Sequence, residues 1–309
     1  MKAAKALLLL ICILLISTEV SSQIRSKYLR RYRTRELSFC IGATNFIGEL
    51  GGANRLGSET FSLRDFDFPA VRPTLGGGAS YQILNWASLK TNLVVGYMRG
   101  RDKWTNYESR EKRNIDFRTI LVEVSEQFEV YLTKSKQSRT FYNLRSARKG
   151  FNFYNFPFTT YLFGGVGLFY FNPQGRDKDG QWQYVLPFHT EGQGLVPTRK
   201  SIKQIQICIP LGIGFKYPIG GGYSVGMEYG LRKTFTDYID DVSMTYFDYK
   251  YLKQNYGEEA VSLANPTDLI YLVPGEQRGD PRDKDAYMFA LITIYKDISK
   301  ISRIRNFRF

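Results

Sequence analysis

Residues 223–232 alternate strictly between apolar side chains and polar or small ones. One face carries Tyr223, Val225, Met227, Tyr229 and Leu231, and the other carries Ser224, Gly226, Glu228, Gly230 and Arg232. A period of two is the mark of a strand with two different faces. Because the polar face holds charges among glycines while the other face is wholly apolar, the pattern favours a membrane barrel. Its polar face would line the lumen, and its apolar face would meet lipid.

Seven further runs alternate in the same way. They are predicted as strands at residues 36–46, 73–83, 89–99, 115–132, 159–171, 201–217 and 285–297. Eight is an even count, which returns both termini to the periplasm, and a closed barrel has no exposed edges. The sequence therefore predicts an all-β fold, an eight-stranded antiparallel transmembrane β-barrel with long extracellular loops. The longest loop, residues 235–284, is expected to contain a short amphipathic helix at 246–263.

The N-terminus reads as a secretory signal. Lys2 and Lys5 precede an apolar run at residues 6–16, and small residues lead to a cleavage site after Ser22. A membrane anchor is the alternative, but the run is shorter than the about 20 residues that a spanning helix needs. The predicted organisation is a signal peptide at 1–22, a basic periplasmic lead-in at 23–35, the barrel at 36–298 and a basic tail at 299–309.

Composition limits the possible partners. The formal net charge of +14 favours anionic surfaces, such as outer-membrane lipid and lipopolysaccharide phosphates, or an acidic protein face. Nucleic acid is not expected, because no recognition motif is present and the chain is exported. The 22 Tyr and 22 Phe recur near strand ends, where membrane barrels carry aromatic girdles. Cys40 and Cys208 fall within alternating strands and are expected to be small packing residues.

Three charged residues are predicted to face the lumen, namely Lys90, Glu228 and Arg232. An eight-stranded barrel is just wide enough for its own side chains to fill. A satisfied ionic plug is therefore favoured over a role in transport.

The sequence offers little support for catalysis. The single histidine, His189, lies in a predicted outward loop and has no Ser or Asp partner at a strand-end spacing. We expect no catalytic residue and no cofactor, and hence a protein that is not an enzyme. Asp237, Asp240 and Asp241 are oxygen ligands of the kind that calcium prefers, but their spacing matches no EF-hand, so ordering of the loop is the favoured role.

The connection at residues 133–156 is long and basic where a periplasmic turn should be short. It is either a solvated loop or a docking arm that faces the periplasm. The candidate docking residues are Lys134, Lys136, Arg139, Arg145, Arg148 and Lys149.

Six stretches together resemble a known family. They are FIGELGG from Phe46, VRPTLGGGASYQI from Val71, YLFGGVGLFYFNPQG from Tyr161, FHTEGQGL from Phe188, IPLGIGFKY from Ile209 and MEYGLRKTFTDYIDDVSMTY from Met227. These stretches resemble the PorG-type outer-membrane proteins of the Bacteroidota type IX secretion system. The specific part is RKTFTDYIDDVS, with the signature residues Arg232, Lys233, Thr234, Thr236, Asp237, Tyr238, Asp240 and Asp241.

The resemblance implies a function. It implies a non-enzymatic barrel in the outer membrane that associates, on its periplasmic side, with the ring formed by a lipoprotein and its partner subunit. That machine exports proteins with C-terminal signal domains and is tied to gliding motility in some relatives. The long basic segment and the Arg-rich tail depart from the family pattern. The alternative is a small pore or ligand-binding barrel of the OmpA or OmpW type.

Overall fold

The computed structural model describes residues 34–50, 68–104, 113–133, 158–267 and 274–299. Within these ranges it contains ten strands: β1 (Arg35–Ile47), β2 (Arg72–Leu84), β3 (Ala87–Arg101), β4 (Asp116–Thr133), β5 (Thr159–Phe171), β6 (Gln174–Arg176), β7 (Trp182–Tyr184), β8 (Ile205–Gly220), β9 (Tyr223–Thr234) and β10 (Ala286–Asp297). One α-helix, α1 (Tyr249–Ala264), lies between β9 and β10. No helix in the described part of the chain is both long and apolar enough to cross a membrane.

Eight of the strands close into a barrel. Its order is β1-β2-β3-β4-β5-β8-β9-β10, and β10 pairs antiparallel with β1 from Glu36 opposite Asp297 to Ile47 opposite Ala286. The pairing of β3 with β4 completes the ring. The predicted eight-stranded antiparallel barrel is therefore confirmed. Every barrel strand has a partner on each side, so the wall exposes no unpaired edge.

The connection between β5 and β8 contains two short strands that are not among the eight strands predicted from the sequence. Residues of β6 pair with Phe117 and Arg118 at the start of β4, and β7 pairs with β6. This small hairpin continues the barrel wall beyond the end of β5. It forms because β4, at 18 residues, is longer than its neighbour and would otherwise leave backbone groups unpaired.

The two ends of the barrel differ in loop length. The turns after β2 and β8 are short, and the start of β1 meets the end of β10 at that same end, where Ile298 donates its N–H to the carbonyl of Arg35. The connection after β4 also joins strands at this end and is the long exception. The connections after β1, β3, β5 and β9 are longer and lie at the opposite end. Short periplasmic turns and long extracellular loops are usual in outer-membrane barrels, so the end at which β1 starts and β10 ends is periplasmic.

The outer surface of the wall is apolar. Every barrel strand contributes at least one large hydrophobic side chain that is about half exposed or more, for example Phe39, Leu75, Leu93, Ile120, Val166, Ile207, Met227 and Ile292. A continuous belt of this kind is too large for a protein surface in contact with water. It is the lipid-facing band of a membrane barrel.

Aromatic side chains mark the periplasmic rim of that belt. Trp86 packs edge-on against Phe128, with ring centroids 6.3 Å apart, and Phe158 packs against Tyr217 at 5.5 Å. The ammonium of Lys296 lies 3.5 Å from the ring centroid of Tyr223. The predicted girdle is present at this end, where such rings anchor a barrel at the membrane interface.

Several predicted boundaries need correction. The strand expected at 201–217 runs from Ile205 to Gly220, and residues 201–204 precede it without strand structure. Helix α1 starts three residues later than predicted, because the Asp248 carboxylate caps the N–H groups of Lys250 and Tyr251. The proposed signal peptide, nearly all of the basic lead-in and all but the first residue of the tail lie outside the described residues.

Candidate functional site

The periplasmic half of the lumen holds a network of ion pairs. The ammonium of Lys90 contacts Oε1 of Glu228 and lies 3.9 Å from Oε1 of Glu129. On the other side of Glu129, the Lys216 ammonium lies 3.8 Å from its Oε2 and 3.0 Å from Oε2 of Glu36. The two lysines and the two inner glutamates are at least nine-tenths buried. Charges buried to this degree are stable only when paired.

Tyrosine hydroxyls complete this network. Tyr161 and Tyr295 donate hydrogen bonds to Oε1 of Glu228 at 2.5 and 2.6 Å. Tyr131 donates to Oε2 of Glu129 at 3.1 Å. The ring of Tyr295 also lies 4.1 Å from the ammonium of Lys216, a cation–π distance. Each inner glutamate therefore contacts both a lysine and a tyrosine.

The extracellular half of the lumen holds one more ion pair beneath an aromatic layer. Nε of Arg232 lies 3.2 Å from Oε2 of Glu123, which also accepts a hydrogen bond of 2.9 Å from Tyr287. The guanidinium of Arg232 stacks over the ring of Phe289 at 4.4 Å. Above this level lies an apolar cluster that includes Phe46, Met98, Phe117, Leu121, Phe169, Phe171 and Cys208, and the cluster extends down to Cys40, opposite Thr293.

The lumen is therefore filled by its own side chains. The prediction that Lys90, Glu228 and Arg232 face inward as an ionic plug is confirmed. So is the packing role of the two cysteines, which are buried and form no disulfide. Sequence reasoning missed Glu36, Glu123, Glu129 and Lys216. Their alternation with apolar neighbours was visible, and the inward register of each strand identifies them.

A second buried polar cluster, the mouth cluster, closes the extracellular end. It is built from residues 234–243 after β9, residues 190–193 of the β5–β8 connection, Leu50 after β1, and Arg278 and Asp285 before β10. Three of the stretches that carried the family resemblance thus meet in space. They are FIGELGG, FHTEGQGL and RKTFTDYIDDVS.

The signature residues enter this cluster in different ways. Arg232 belongs to the lumen, whereas Lys233 lies on the exposed outer face of β9. Oγ1 of Thr234 donates to the carbonyls of Thr236 and Asp285. The Thr236 carbonyl in turn accepts the N–H of Asp285 at 3.0 Å. These bonds tie the end of β9 to the start of β10.

The three aspartates of the signature do not converge on one point. Asp237 accepts a hydrogen bond of 2.6 Å from the Ser243 hydroxyl, beside Tyr238. Asp240 accepts the N–H groups of Leu50 and Val242 at 3.2 and 3.0 Å. The predicted role in ordering the loop is consistent with these bonds.

Asp241 instead joins a deeper ion-pair centre. It accepts a hydrogen bond from the Thr190 hydroxyl, and its Oδ2 lies 3.8 Å from Nη2 of Arg278. Nη1 of Arg278 lies 2.7 Å from Oε1 of Glu191, which also accepts the N–H of Ser243 at 3.0 Å. Glu191 and Arg278 were not among the candidate residues. The signal that could have identified Glu191 is its position as the acidic residue within the stretch FHTEGQGL.

Burial shifts the titration of the mouth carboxyls. It raises the pKa of Asp237 to about 7, and the hydrogen bond from Ser243 opposes that shift. It raises the pKa of Asp240 and that of Asp241 to about 7, although Arg278 lowers both. Burial, together with repulsion from Asp240, raises the pKa of Asp285 and of Glu49 well above the ordinary range.

The remaining candidates can be placed briefly. His189 has a left-handed backbone conformation, and its Nδ1 lies within hydrogen-bond distance of the Gln193 carbonyl, so it shapes a turn. The six candidate docking residues at 134–149 lie outside the described residues.

A closed strand ring, an apolar outer belt and a polar filled lumen together define the class of this protein. It is an integral outer-membrane β-barrel. Within that class, it is one whose lumen is closed by its own ion pairs and aromatic rings.

Comparison with known proteins adds resemblances in architecture. Neisserial surface protein A matches with a TM-score of 0.35 and 9% identity over 85% of this chain and 96% of its own. Ail of Yersinia pestis matches with a TM-score of 0.36 and 7% identity over 86% and 98%. OprG of Pseudomonas aeruginosa matches with a TM-score of 0.34 and 8% identity over 88% and 100%. No protein-family model matches the chain, and no curated protein sequence matches it.

Proposed function

We propose that this barrel is a non-enzymatic component of the type IX protein secretion machinery, which anchors the periplasmic ring complex to the outer membrane. Its partners would be the ring lipoprotein and that lipoprotein's partner subunit. The cargo of the machine would be proteins with C-terminal signal domains. The barrel would also contact lipid and lipopolysaccharide through its belt and basic surfaces.

One observation carries the proposal. Three of the six stretches that resemble the PorG-type proteins meet in the mouth cluster, where Asp240 accepts the N–H of Leu50 and Glu191 accepts the N–H of Ser243. A set of motifs that forms one buried unit supports a common fold with that family more strongly than scattered matches would. The proposal extends this support from fold to function.

The filled lumen supports a scaffold rather than a conduit. Lys90, Glu129 and Glu228 occupy the centre, and the aromatic layer lies above them. An anchor needs a fixed depth in the membrane and a periplasmic contact surface. The apolar belt supplies the first, and the basic periplasmic segments would supply the second.

Affinity purification from native envelopes tests the anchor role. The full chain, tagged at its C-terminus, is expected to recover the ring lipoprotein and its partner. A chain lacking residues 134–156 should still assemble as a heat-modifiable barrel but lose both. A matched control removes residues 105–112, a connection on the extracellular side, and should keep both.

The readout in cells is the export of a reporter with a C-terminal signal domain. Loss of ring recovery together with retention of the reporter in the periplasm is the expected result for the 134–156 deletion. Full recovery of the ring with that deletion would contradict the docking arm. Absence of both ring subunits from the full-length sample would contradict the proposed function itself.

A further inference from the structure

Three carboxyl groups meet at the extracellular end of the seam between the first and last strands. Glu49 follows β1, Asp285 immediately precedes β10, and Asp237 follows β9. One carboxylate oxygen from each lies within 4.8 Å of the others. Strands β1, β10 and β9 are direct neighbours in the ring, so this carboxyl triad links three adjacent strands.

Hydrogen bonding leaves part of the triad unsatisfied. Asp285 uses Oδ2 to accept the N–H of Ile239 at 2.8 Å, and Asp237 uses Oδ2 to accept the Ser243 hydroxyl. Their Oδ1 atoms are buried and have no hydrogen-bond partner among the described residues. Asp237 and Asp285 are 3% and 1% exposed, which makes these unpartnered oxygens costly unless something else binds them.

The charge around the triad is also unbalanced. Asp240 lies behind it and spends both oxygens on backbone N–H groups. The two nearby arginines are engaged elsewhere, since Arg113 pairs with Asp102 and Arg278 with Glu191. The side chain of Lys284 is 42% exposed, and its ammonium lies 3.9 Å from Oδ2 of Asp237, the oxygen that also accepts the Ser243 hydroxyl. A chain with an overall excess of positive charge thus buries a group of carboxylates in which only Asp237 has an ion pair with a lysine or arginine of the described residues.

We propose that the carboxyl triad Glu49, Asp237 and Asp285 binds one calcium ion. An all-oxygen set of carboxylates suits a hard divalent cation. Calcium holds its ligands at about 2.3–2.6 Å, so oxygens up to about 5 Å apart can share one ion. Magnesium needs a smaller and more regular cage. The bound ion would fasten β1, β10 and β9 together at the mouth.

The site is built in advance of the ion. Asp285 is fixed by its N–H bond to Thr236 and by the Thr234 hydroxyl on its carbonyl. Glu49 is positioned by the N–H of Asp280, which donates to its Oε1 at 3.1 Å. These bonds leave Oδ1 of Asp237 and Oδ1 of Asp285 available to the ion.

Equilibrium dialysis of the refolded, lipopolysaccharide-free protein in detergent tests the site. The wild type should bind one calcium ion per chain. Asp285→Asn and Asp237→Asn should weaken binding by at least about tenfold, since loss of a direct ligand should cost no less than loss of a supporting contact. Asp179→Asn, at an exposed loop position, is the matched control and should bind like the wild type.

Hydrogen exchange provides the structural readout. Calcium should slow exchange of the Leu50 and Val242 amides in the wild type and leave them unchanged in Asp285→Asn. If the Asp285→Asn variant fails to fold, as judged by heat-modifiable gel mobility, the same exchange measurement is made on Glu49→Gln. Equal calcium binding by wild type and triad variants would overturn the proposal. Binding of magnesium alone, or no binding at millimolar calcium, would overturn it as well.

Discussion

At the scale of single residues, the central observation is that the charged side chains buried in the lumen are paired. Lys90 and Glu228 are in contact inside the lumen, and both are at least nine-tenths buried. Removing one partner leaves the other charged and desolvated, which costs more than the pair itself contributes. Single and double replacements at these positions therefore differ in a predictable way.

Lys90→Met should destabilise the barrel by about 3–5 kcal/mol, because it leaves the Glu228 carboxylate buried in the lumen without the lysine that it contacts. The double variant Lys90→Met with Glu228→Gln should lose less than the sum of the single losses. Urea unfolding in lipid vesicles, followed by tryptophan fluorescence, gives the free energies. Lys250→Met, on the exposed side of α1, is the control and should be neutral. Additive losses would contradict the pairing.

The mouth carboxyl of Asp241 predicts a pH dependence. Its pKa is raised to about 7 by burial, against the pull of Arg278. A carboxyl with a raised folded pKa binds more protons in the folded state, so stability falls as pH rises from about 4 to about 7 and then levels off. For this one carboxyl group, the free energy of unfolding changes with pH by at most on the order of 1 kcal/mol per pH unit.

Asp241→Asn should therefore narrow the stability difference between pH 5 and pH 8. Unfolding midpoints of wild type and variant at the two pH values give that difference in a chelating buffer. A larger loss of stability in the wild type than in the variant on going to pH 8 is expected. A wild type that gains stability relative to the variant at pH 8 would contradict the shift.

At the scale of elements, glycines on the inner faces of β8 and β9 make room for large rings. A Cβ at Gly214 would lie 2.2 Å from Cζ of Tyr161, a residue that donates to Glu228. On the outer wall, a Cβ at Gly164 would meet the end of the Leu211 side chain at 3.1 Å and lie 4.0 Å from the carbonyl oxygen of Pro210. Replacement of glycine by alanine should thus destabilise the barrel on the inner face and have little effect on its stability on the outer face.

Gly214→Ala should cost about 1–3 kcal/mol or block barrel assembly, because overpacking displaces the Tyr161 ring. Gly164→Ala should stay within about 0.5 kcal/mol of the wild type, as surface substitutions usually do. Refolding yield by gel mobility and urea unfolding in vesicles measure both. Equal losses of stability at the two positions would mean that the aromatic ring of Tyr161 has space to move away from a Cβ at position 214.

The lipid-facing wall contains one acidic exception on β4. Glu126 interrupts the outward row of apolar side chains and accepts a hydrogen bond of 2.6 Å from Thr91 on β3. Its other oxygen, Oε1, has no hydrogen-bond partner among the described residues. Acidic side chains on a lipid face are destabilising, though less than lysine or arginine.

Glu126→Val should therefore stabilise the barrel by about 1 kcal/mol in lipid vesicles, with Glu126→Gln between the two. The comparison is made by urea titration in vesicles and repeated in detergent, where the gain should shrink. A loss of stability with Glu126→Val in vesicles would show that the Thr91 bond outweighs the cost of the acid.

Sequence reasoning recovered the eight barrel strands because a period of two with one apolar face is a local signal. Ile205, Ile207 and Leu211 face outward as their alternation predicts. The mouth cluster could not be predicted in the same way. Glu191, Asp241 and Arg278 are joined by the closure of distant loops, and no local spacing encodes that contact. The hairpin of β6 and β7 was missed because its strands are three residues long.

At the scale of the whole molecule, the barrel is expected not to conduct. Four glutamates, two lysines and one arginine fill the lumen with tyrosines between them, and the aromatic layer lies above. Purified protein in a planar bilayer should give no steady current, while a general porin in the same bilayer serves as the positive control. A reproducible, solute-dependent current would favour the alternative, a small pore of the OmpA or OmpW type.

The pairing of β1 with β10 has a consequence for biogenesis. The barrel can close only after β10, Ala286–Asp297, has been synthesised. A nascent or shortened chain therefore has two strand edges with unpaired backbone groups. Such a chain would invite aggregation on the way to the bilayer. We therefore expect that the barrel enters the membrane as a closed ring only when β10 is present, and that a chain without β10 does not insert.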